Sequence, residues 1–199
     1  LRPNFNRPTT AFDPREVSFN RRQFKFGDPD SKSYKLFLNG AYEVAPDWEV
    51  YAFGSYGHRD AIGPANWRQQ GTAANRDFSV LAPNQVPNAQ NFVPLTDIGF
   101  LPLIETDLDD YAGTLGVRGA VGGWTADFSA GLGHNSFDYE VHDSLNTSFG
   151  PQSQTDFDAG GLRYGQAIFN LDFSREYALG FAKPLSVAVG AEHRREPFK

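Results

Sequence analysis

The chain has no cysteine, which excludes a disulfide framework and thiolate metal sites. That absence also suits a protein exported unfolded through an oxidising periplasm. Nowhere does the sequence approach the ~18–20 consecutive apolar residues of a membrane helix. Positive charge is in deficit: the net charge of -6 and pI near 5.2 argue against non-specific nucleic-acid binding. No GxSxG, P-loop, dinucleotide fingerprint or HExxH occurs. The histidines, His58, His134, His142 and His193, are scattered rather than set at zinc spacing. The reading is therefore of a non-enzymatic chain without a cofactor, a catalytic residue or a metal centre. A basic-then-apolar signal segment is also missing, and the first residue is Leu1. This suggests a mature form or a piece of something longer.

Strands escape the helix test. They need only about 9–11 residues to cross a bilayer, with alternate residues apolar. A mean hydropathy of -0.48 is compatible with that, since half of each strand and all loops face water. Aromatics make up 15% of the chain, with 18 Phe and 8 Tyr, which is high for so polar a sequence. The 20 Gly and 13 Pro favour turns over long helices.

Period-two alternation, the signature of a strand, first appears in Tyr34, Leu36, Leu38, Gly40, Tyr42 and Val44. Ala45-Pro46-Asp47 then reads as a turn into Trp48 to Arg59, where both faces carry aromatics and the phase is ambiguous. Tyr111 to Val121 alternates cleanly, Gly122-Gly123 makes a two-residue turn, and Trp124, Ala126, Phe128, Ala130 and Leu132 continue the apolar face. A fifth strand is expected from about Leu162 to Phe173. A sixth, with Leu185, Val187, Val189 and Ala191 on its apolar face, runs into the charged His193-Arg194-Arg195-Glu196. Connections alternate short and long. The short ones are Ala45–Asp47, Gly122–Gly123 and roughly Ser174–Lys183; the long ones are about Asp60–Asp110 and Asp143–Gly160.

A soluble antiparallel sheet alternates too, with one face buried and one wet. Three features together favour a membrane wall. The strands run to about 10–13 residues against a soluble mode of about 5–6. Trp48 and Trp124 lie beside short turns and Tyr111 and Tyr139 beside long loops, as in aromatic girdles. Long loops fall on one side only, a pattern of short periplasmic turns and long extracellular loops. Six strands are too few for the smallest such barrels of about 8. The expected fold is therefore all-β: an antiparallel transmembrane β-barrel wall segment, a single partial domain over 1–199. Within it a lead-in spans 1–32, hairpins span 33–59, 111–140 and 161–199, and extracellular loops span 60–110 and 141–160.

Phe19 to Asp60 (FNRRQFKFGDPDSKSYKLFLNGAYEVAPDWEVYAFGSYGHRD) resembles the barrel of TonB-dependent receptors. The carriers are GDPDSK at Gly27 to Lys32, the following FLNGAY, and VYAFGSYGHR. PLSVAVGAEHRREPF, Pro184 to Phe198, resembles a recurrent barrel strand of that family. The resemblance implies a 22-stranded barrel around a plug domain, in the outer membrane of a Gram-negative bacterium. It implies import of a scarce nutrient (siderophore, vitamin or carbohydrate), energised by the inner-membrane TonB complex. Implied partners are outer-membrane lipid, the remaining barrel strands, the plug, and a small-molecule or oligosaccharide ligand. Neither plug nor TonB box is evident here, which suits an internal piece of the barrel. A passive porin or adhesive barrel shares the wall pattern and is the first alternative. A soluble β-sandwich or jelly roll is the second.

A receptor binds its ligand in extracellular loops and on the inner wall. The loop from Asp60 to Asp110 carries Trp67, Arg68, Gln69, Gln70, Asn75, Arg76, Asn88, Gln90, Asn91 and Phe92. Amides and guanidinium groups offer directional donors, and Trp or Phe stacks on sugars or aromatic ligands. The blander reading is that each of them solvates and packs the loop. Two Asn/Arg-rich stretches, Asn4 to Arg7 and Asn20 to Arg22, raise the same question. Arg118, Asp127, Asp172 and Glu192 fall on the polar phase of their strands and are expected to face the lumen. Glu105, Asp107, Asp109 and Asp110 form an acidic cluster in which solvated carboxylates are favoured over a calcium site. Asn146-Thr147-Ser148 matches a glycosylation sequon formally, without meaning in a bacterial protein.

Overall fold

The computed structural model describes residues 14–19 and 28–199. The stretches Asn4 to Arg7 and Asn20 to Arg22, and Gly27 of the resembling motif, lie outside the described residues. Strands β1 (Asp30–Ala45), β2 (Trp48–Pro64), β3 (Leu103–Val121), β4 (Trp124–His142), β5 (Phe157–Tyr177) and β6 (Leu185–Arg195) form one antiparallel sheet in chain order. Each strand pairs with its sequence neighbour, and β1 and β6 do not pair to close the sheet. Among the described residues, helix is limited to the single turn Arg15–Ser18 and a few 3₁₀ turns. Among the described residues no helix is long and apolar enough to cross a membrane, a test that does not bear on strands.

The short connections form where the sequence supplies left-handed residues. Asp47 (φ 63°) closes the β1–β2 turn, and Gly122 and Gly123 (φ 59° and 78°) close β3–β4. The Gly122-Gly123 pair has the two-residue geometry, positive in φ at both positions, that matches strand twist. Gly180 (φ 80°) lies in the connection from Ala178 to Pro184.

Alternation sorts the side chains onto two faces. In the β5–β6 register, Leu171 faces Ala191, Phe173 faces Val189 and Tyr177 faces Leu185. On the opposite face Asn170 meets Glu192, Asp172 meets Gly190 and Glu176 meets Ser186. The ambiguous second strand is settled by glycine clefts across from it. The Trp48 ring occupies the space a Cβ on Gly119 would need, and the Tyr51 ring does so at Gly116. Trp48 and Val50 therefore share the apolar face, while Glu49 and Tyr51 share the polar one.

The apolar face is exposed: Leu36 is 57% accessible, Leu115 60%, Leu132 68% and Val189 56%. Among the described residues, Ala61 and Trp67 are the only buried hydrophobic ones. A sandwich would bury this face against a second sheet; the described residues hold a single sheet.

The strands are longer than the apolar alternation suggests. The loop expected over 60–110 is shortened at both ends, because β2 runs on to Pro64 and β3 begins at Leu103. The fourth strand extends to His142 and the fifth spans Phe157–Tyr177. The extra residues keep the period but exchange apolar side chains for charged ones: Glu105, Asp107 and Asp109 on β3, and Asp138, Glu140 and His142 on β4. An alternation counted on hydrophobicity stops where the ladder continues.

Contacts gather in two compact units, each described by itself. The sheet unit comprises Lys32–Asp60, Asp107–Asp138 and Gly161–Lys199. The loop unit comprises Leu1–Ser31, Ala61–Thr106 and Tyr139–Gly160.

Candidate functional site

In the loop unit the chain between β2 and β3 folds back on itself. Ala65 N–H donates to Pro102 O, Arg68 and Phe100 exchange backbone hydrogen bonds at 2.8 and 3.0 Å, and Asp77 N–H donates to Val93 O. Asn75, wholly inaccessible, is the hub. Its amide nitrogen donates to Gln70 O (3.2 Å) and Thr96 O (2.8 Å); its Oδ1 accepts from Thr96 N–H (2.9 Å) and Thr96 Oγ1 (3.0 Å). All the hydrogen-bonding capacity of one amide is thus spent on pinning two legs of the loop.

Arg76, 6% accessible, is also turned into the loop, although its buried Nε has no hydrogen-bond partner. Its guanidinium lies over the rings of Phe78 (5.5 Å) and Phe92 (5.3 Å) and donates to Asn88 O and Asn91 Oδ1. Asn88 and Asn91 in turn cap the 3₁₀ turn Ala89–Asn91 reciprocally. Trp67 is buried, edge-on to Phe19 at 5.9 Å. Gly99 (φ 88°) approaches it so closely that a Cβ there would lie 3.1 Å from the indole.

The segment 143–156 belongs to the same unit. Thr147 O accepts from Phe78 N–H (3.0 Å). Gly150 sits against Asp77 and Ser79, in space that a side chain would need. Asp77 Oδ1 accepts from Ser79 N–H and Oγ.

Of the residues singled out for ligand contact, Trp67, Asn75 and Arg76 are therefore turned inward. Asn91 and Phe92 are half-buried partners of Arg76, and Arg68, Gln69 and Gln70 are half-buried on the first leg. Exposed polar residues at the tip of this loop are Asn84, Gln85, Asn88 and Gln90, and Asn66, Ser79 and Asp97 are exposed elsewhere along it.

On the polar face of the sheet unit, Arg118, Asp127 and Asp172 share a shallow groove with Thr125 and Ser174. Tyr51 O–H donates to Asp127 Oδ1 (2.7 Å). Arg118 pairs with Glu49 and lies 5.7 Å from the Tyr51 ring centre. The Asp172 carboxylate fills the space above Gly190. Glu192 lies outside that groove and accepts from Arg194 Nε (3.0 Å).

The charged extensions of the strands, beyond the apolar stretch, hold two clusters around His58 and His142, histidines whose positions in the sequence are scattered. In the sheet unit, His58 Nδ1 lies 3.0 Å from Asp109 Oδ1 and 3.7 Å from Asp107 Oδ1, and its Nε2 lies 3.1 Å from Asp60 Oδ1. Tyr56 O–H also donates to Asp109 (3.0 Å). In the loop unit, His142 Nε2 lies 2.8 Å from Glu105 Oε2 and 3.7 Å from Glu140 Oε2, and its Nδ1 lies 2.9 Å from Asp156 Oδ1.

The hydrogen bond to Asp109 and the surrounding carboxylates raise His58 above the ordinary imidazole value. The same bond, then that from Tyr56, lowers Asp109. His142 is raised by Asp156 and then by Glu105. The signal for both clusters was present as acidic residues at alternate positions 105, 107 and 109, but the cross-strand partner of each was not legible.

No known family model, curated protein or solved structure matches the chain.

Proposed function

We propose that the chain is part of the barrel wall of a TonB-dependent outer-membrane receptor, which binds and imports a scarce nutrient such as a siderophore, vitamin or carbohydrate. The observation that carries the wall reading is the exposed apolar face, shared by strands that change to charge on the same face at their loop ends. From Tyr111 to Val121 that face covers about 34 Å of strand at ~3.4 Å per residue. Tilted by ~40°, it spans roughly 26 Å, close to the ~25 Å apolar band of outer-membrane barrels.

In hydrocarbon the free edges of β1 and β6 need partners, because no water satisfies their backbone groups. Further barrel strands supply them in this reading. Arg175, a cation on the apolar face, fits the short-turn interface. Its guanidinium lies 5.0 Å from the Tyr177 ring centre, and Nη1 is 3.4 Å from Gly122 O. Trp124 stands edge-on to the same Tyr177 at 6.4 Å.

The choice of receptor within outer-membrane barrels rests on the resemblance of Phe19 to Asp60 and Pro184 to Phe198. The loop between β2 and β3 supports it as a pre-organised platform. Its inward groups fix its shape, and at its exposed tip Asn84 and Gln90 face a ligand beside Gln85 and Asn88, whose side-chain oxygens accept from Ala82 N–H and from the 3₁₀ turn. Arg118, Asp127 and Asp172 then line the lumen.

The first test is fractionation of the native cell. The expected result is recovery in the outer membrane with release only by detergent. A monodisperse protein without detergent overturns the wall reading. If the wall stands, nutrient uptake that persists in a strain lacking the TonB complex overturns the receptor and leaves the passive porin.

A further inference from the structure

We propose that the two histidine–carboxylate clusters, His58 with Asp107 and Asp109, and His142 with Glu105 and Glu140, are binding sites for divalent transition-metal ions. The inference stands apart from the membrane reading and from the nutrient carried. It concerns side chains on the charged strand extensions, which the ligand platform does not use.

Spacing of the donors is the first argument. Three potential ligand atoms in each cluster lie within 4.8 Å of one another. An ion with bonds of about 2.1 Å places neighbouring donors about 3.0 Å apart in octahedral and about 3.4 Å apart in tetrahedral geometry. The His58 Nδ1 distances of 3.0 and 3.7 Å to Asp109 and Asp107 bracket those edges. The His142 Nε2 distances of 2.8 and 3.7 Å to Glu105 and Glu140 do so again.

The second argument is what holds the ring. A metal-bound histidine almost always gives its other ring nitrogen to a carboxylate or carbonyl, which fixes tautomer and orientation. His58 turns Nδ1 to its two carboxylates and Nε2 to Asp60 at 3.1 Å. His142 uses the opposite nitrogens in the same scheme, with Nδ1 on Asp156 at 2.9 Å. The ligand carboxylate Asp109 is itself held by Tyr56 O–H, and the orienting Asp156 by Thr155 Oγ1 (2.7 Å). The same arrangement arises independently in each unit, from different residues and with ring nitrogens exchanged.

Charge supplies the third. Each histidine faces three carboxylates, and one imidazolium neutralises only one of them. The imidazole side chains are about one quarter accessible, so an ion reaches them from solvent. One imidazole with two carboxylates, and water in the remaining positions, suits Zn²⁺, which takes nitrogen and carboxylate ligands together, and Mn²⁺ through the carboxylates and water, better than Ca²⁺, which takes oxygen ligands alone.

The test is calorimetric titration of the full chain, kept in detergent if it requires it, with Zn²⁺ alone. Mn²⁺ detected by electron paramagnetic resonance is the second probe. Two ions per chain are expected. His58→Ala removes one and His142→Ala the other, and the site left intact in each variant reports that the chain is folded. Asp60→Asn and Asp156→Asn, which alter only the orienting partner, weaken the corresponding site by ~10–100-fold. Absence of saturable Zn²⁺ binding up to millimolar concentration overturns the proposal. So does unchanged stoichiometry in the double histidine variant, which would place the metal elsewhere. Loss of a single ion in the double variant overturns the site whose own substitution had no effect.

Discussion

The two units invert one another. In the sheet unit large apolar side chains stand exposed, and order comes from the backbone ladder between strands. In the loop unit the most deeply buried side chains are polar, Asn75, Arg76 and Asp77, and order comes from side chains bonded to backbone. A soluble domain of this size hides hydrophobic residues and exposes polar ones. Here each unit departs from that rule in its own way. An apolar face of this extent calls for an apolar covering. A polar centre calls for hydrogen-bond partners, because an unpaired buried group costs about 1–3 kcal/mol; Asn75 has a full set, whereas Arg76 Nε has none.

The contrast is broken most decisively by charging the apolar face. Leu115→Arg is expected to destabilise the protein in a bilayer by ~2–4 kcal/mol if Leu115 lies near the midplane, measured by denaturant unfolding from liposomes. In a protein bathed in water, the same change at so exposed a position would move stability by no more than ~0.5 kcal/mol.

Next in size is Asn75→Ala, which leaves donors and acceptors at Gln70 and Thr96 without partners. A loss of roughly 2 kcal/mol is expected, confined to the loop unit. Hydrogen exchange should accelerate at the amides of Asp77, Leu95 and Thr96 while the β5–β6 ladder stays protected. Equal acceleration in both would mean that Asn75 supports the whole chain.

Arg76→Met keeps the aliphatic stem and removes the charge over Phe78 and Phe92. About 1–2 kcal/mol of loop stability should be lost, read by proteolysis within 78–92. Resistance equal to the parent would show that packing alone holds the loop.

The smallest effect concerns Glu196, whose carboxyl is held below its usual value by Gln166, then by Tyr164 and Arg194. A depressed acid contributes stability that is complete above the unfolded value near 4.5 and is lost as pH falls through the lower folded one. Acidification below about 4.5 should therefore loosen residues 196–199 from β5, where Gly165 N–H donates to Pro197 O. Amide chemical shifts of 163–165 measure this, and Glu196→Gln should flatten the pH response.

Much of the sheet was legible in the sequence. Gly122-Gly123 and Pro46-Asp47 marked their turns through φ preference, and the alternations from Tyr34 and Tyr111 marked the faces of β1 and β3. Strand ends were not legible, because the period at Glu105 to Asp109 is carried by charge. Of the four lumen candidates, Arg118, Asp127 and Asp172 share one groove on the polar face, and Glu192 lies outside it. The loop candidates were chosen for donor chemistry, and Asn75 and Arg76 apply that chemistry to their own chain. A sequence offers the donors but does not say which acceptor is nearest.

By itself, then, the sequence determined the all-β class, the positions of the tight turns and the phase of most strands, since these depend on local dihedral preference and a two-residue period. Tertiary structure alone decided the phase of β2, the inward turn of Asn75 and Arg76, and the meeting of His58 and His142 with carboxylates. Each of these depends on residues brought together across strands or loop legs, and no local pattern encodes such distances.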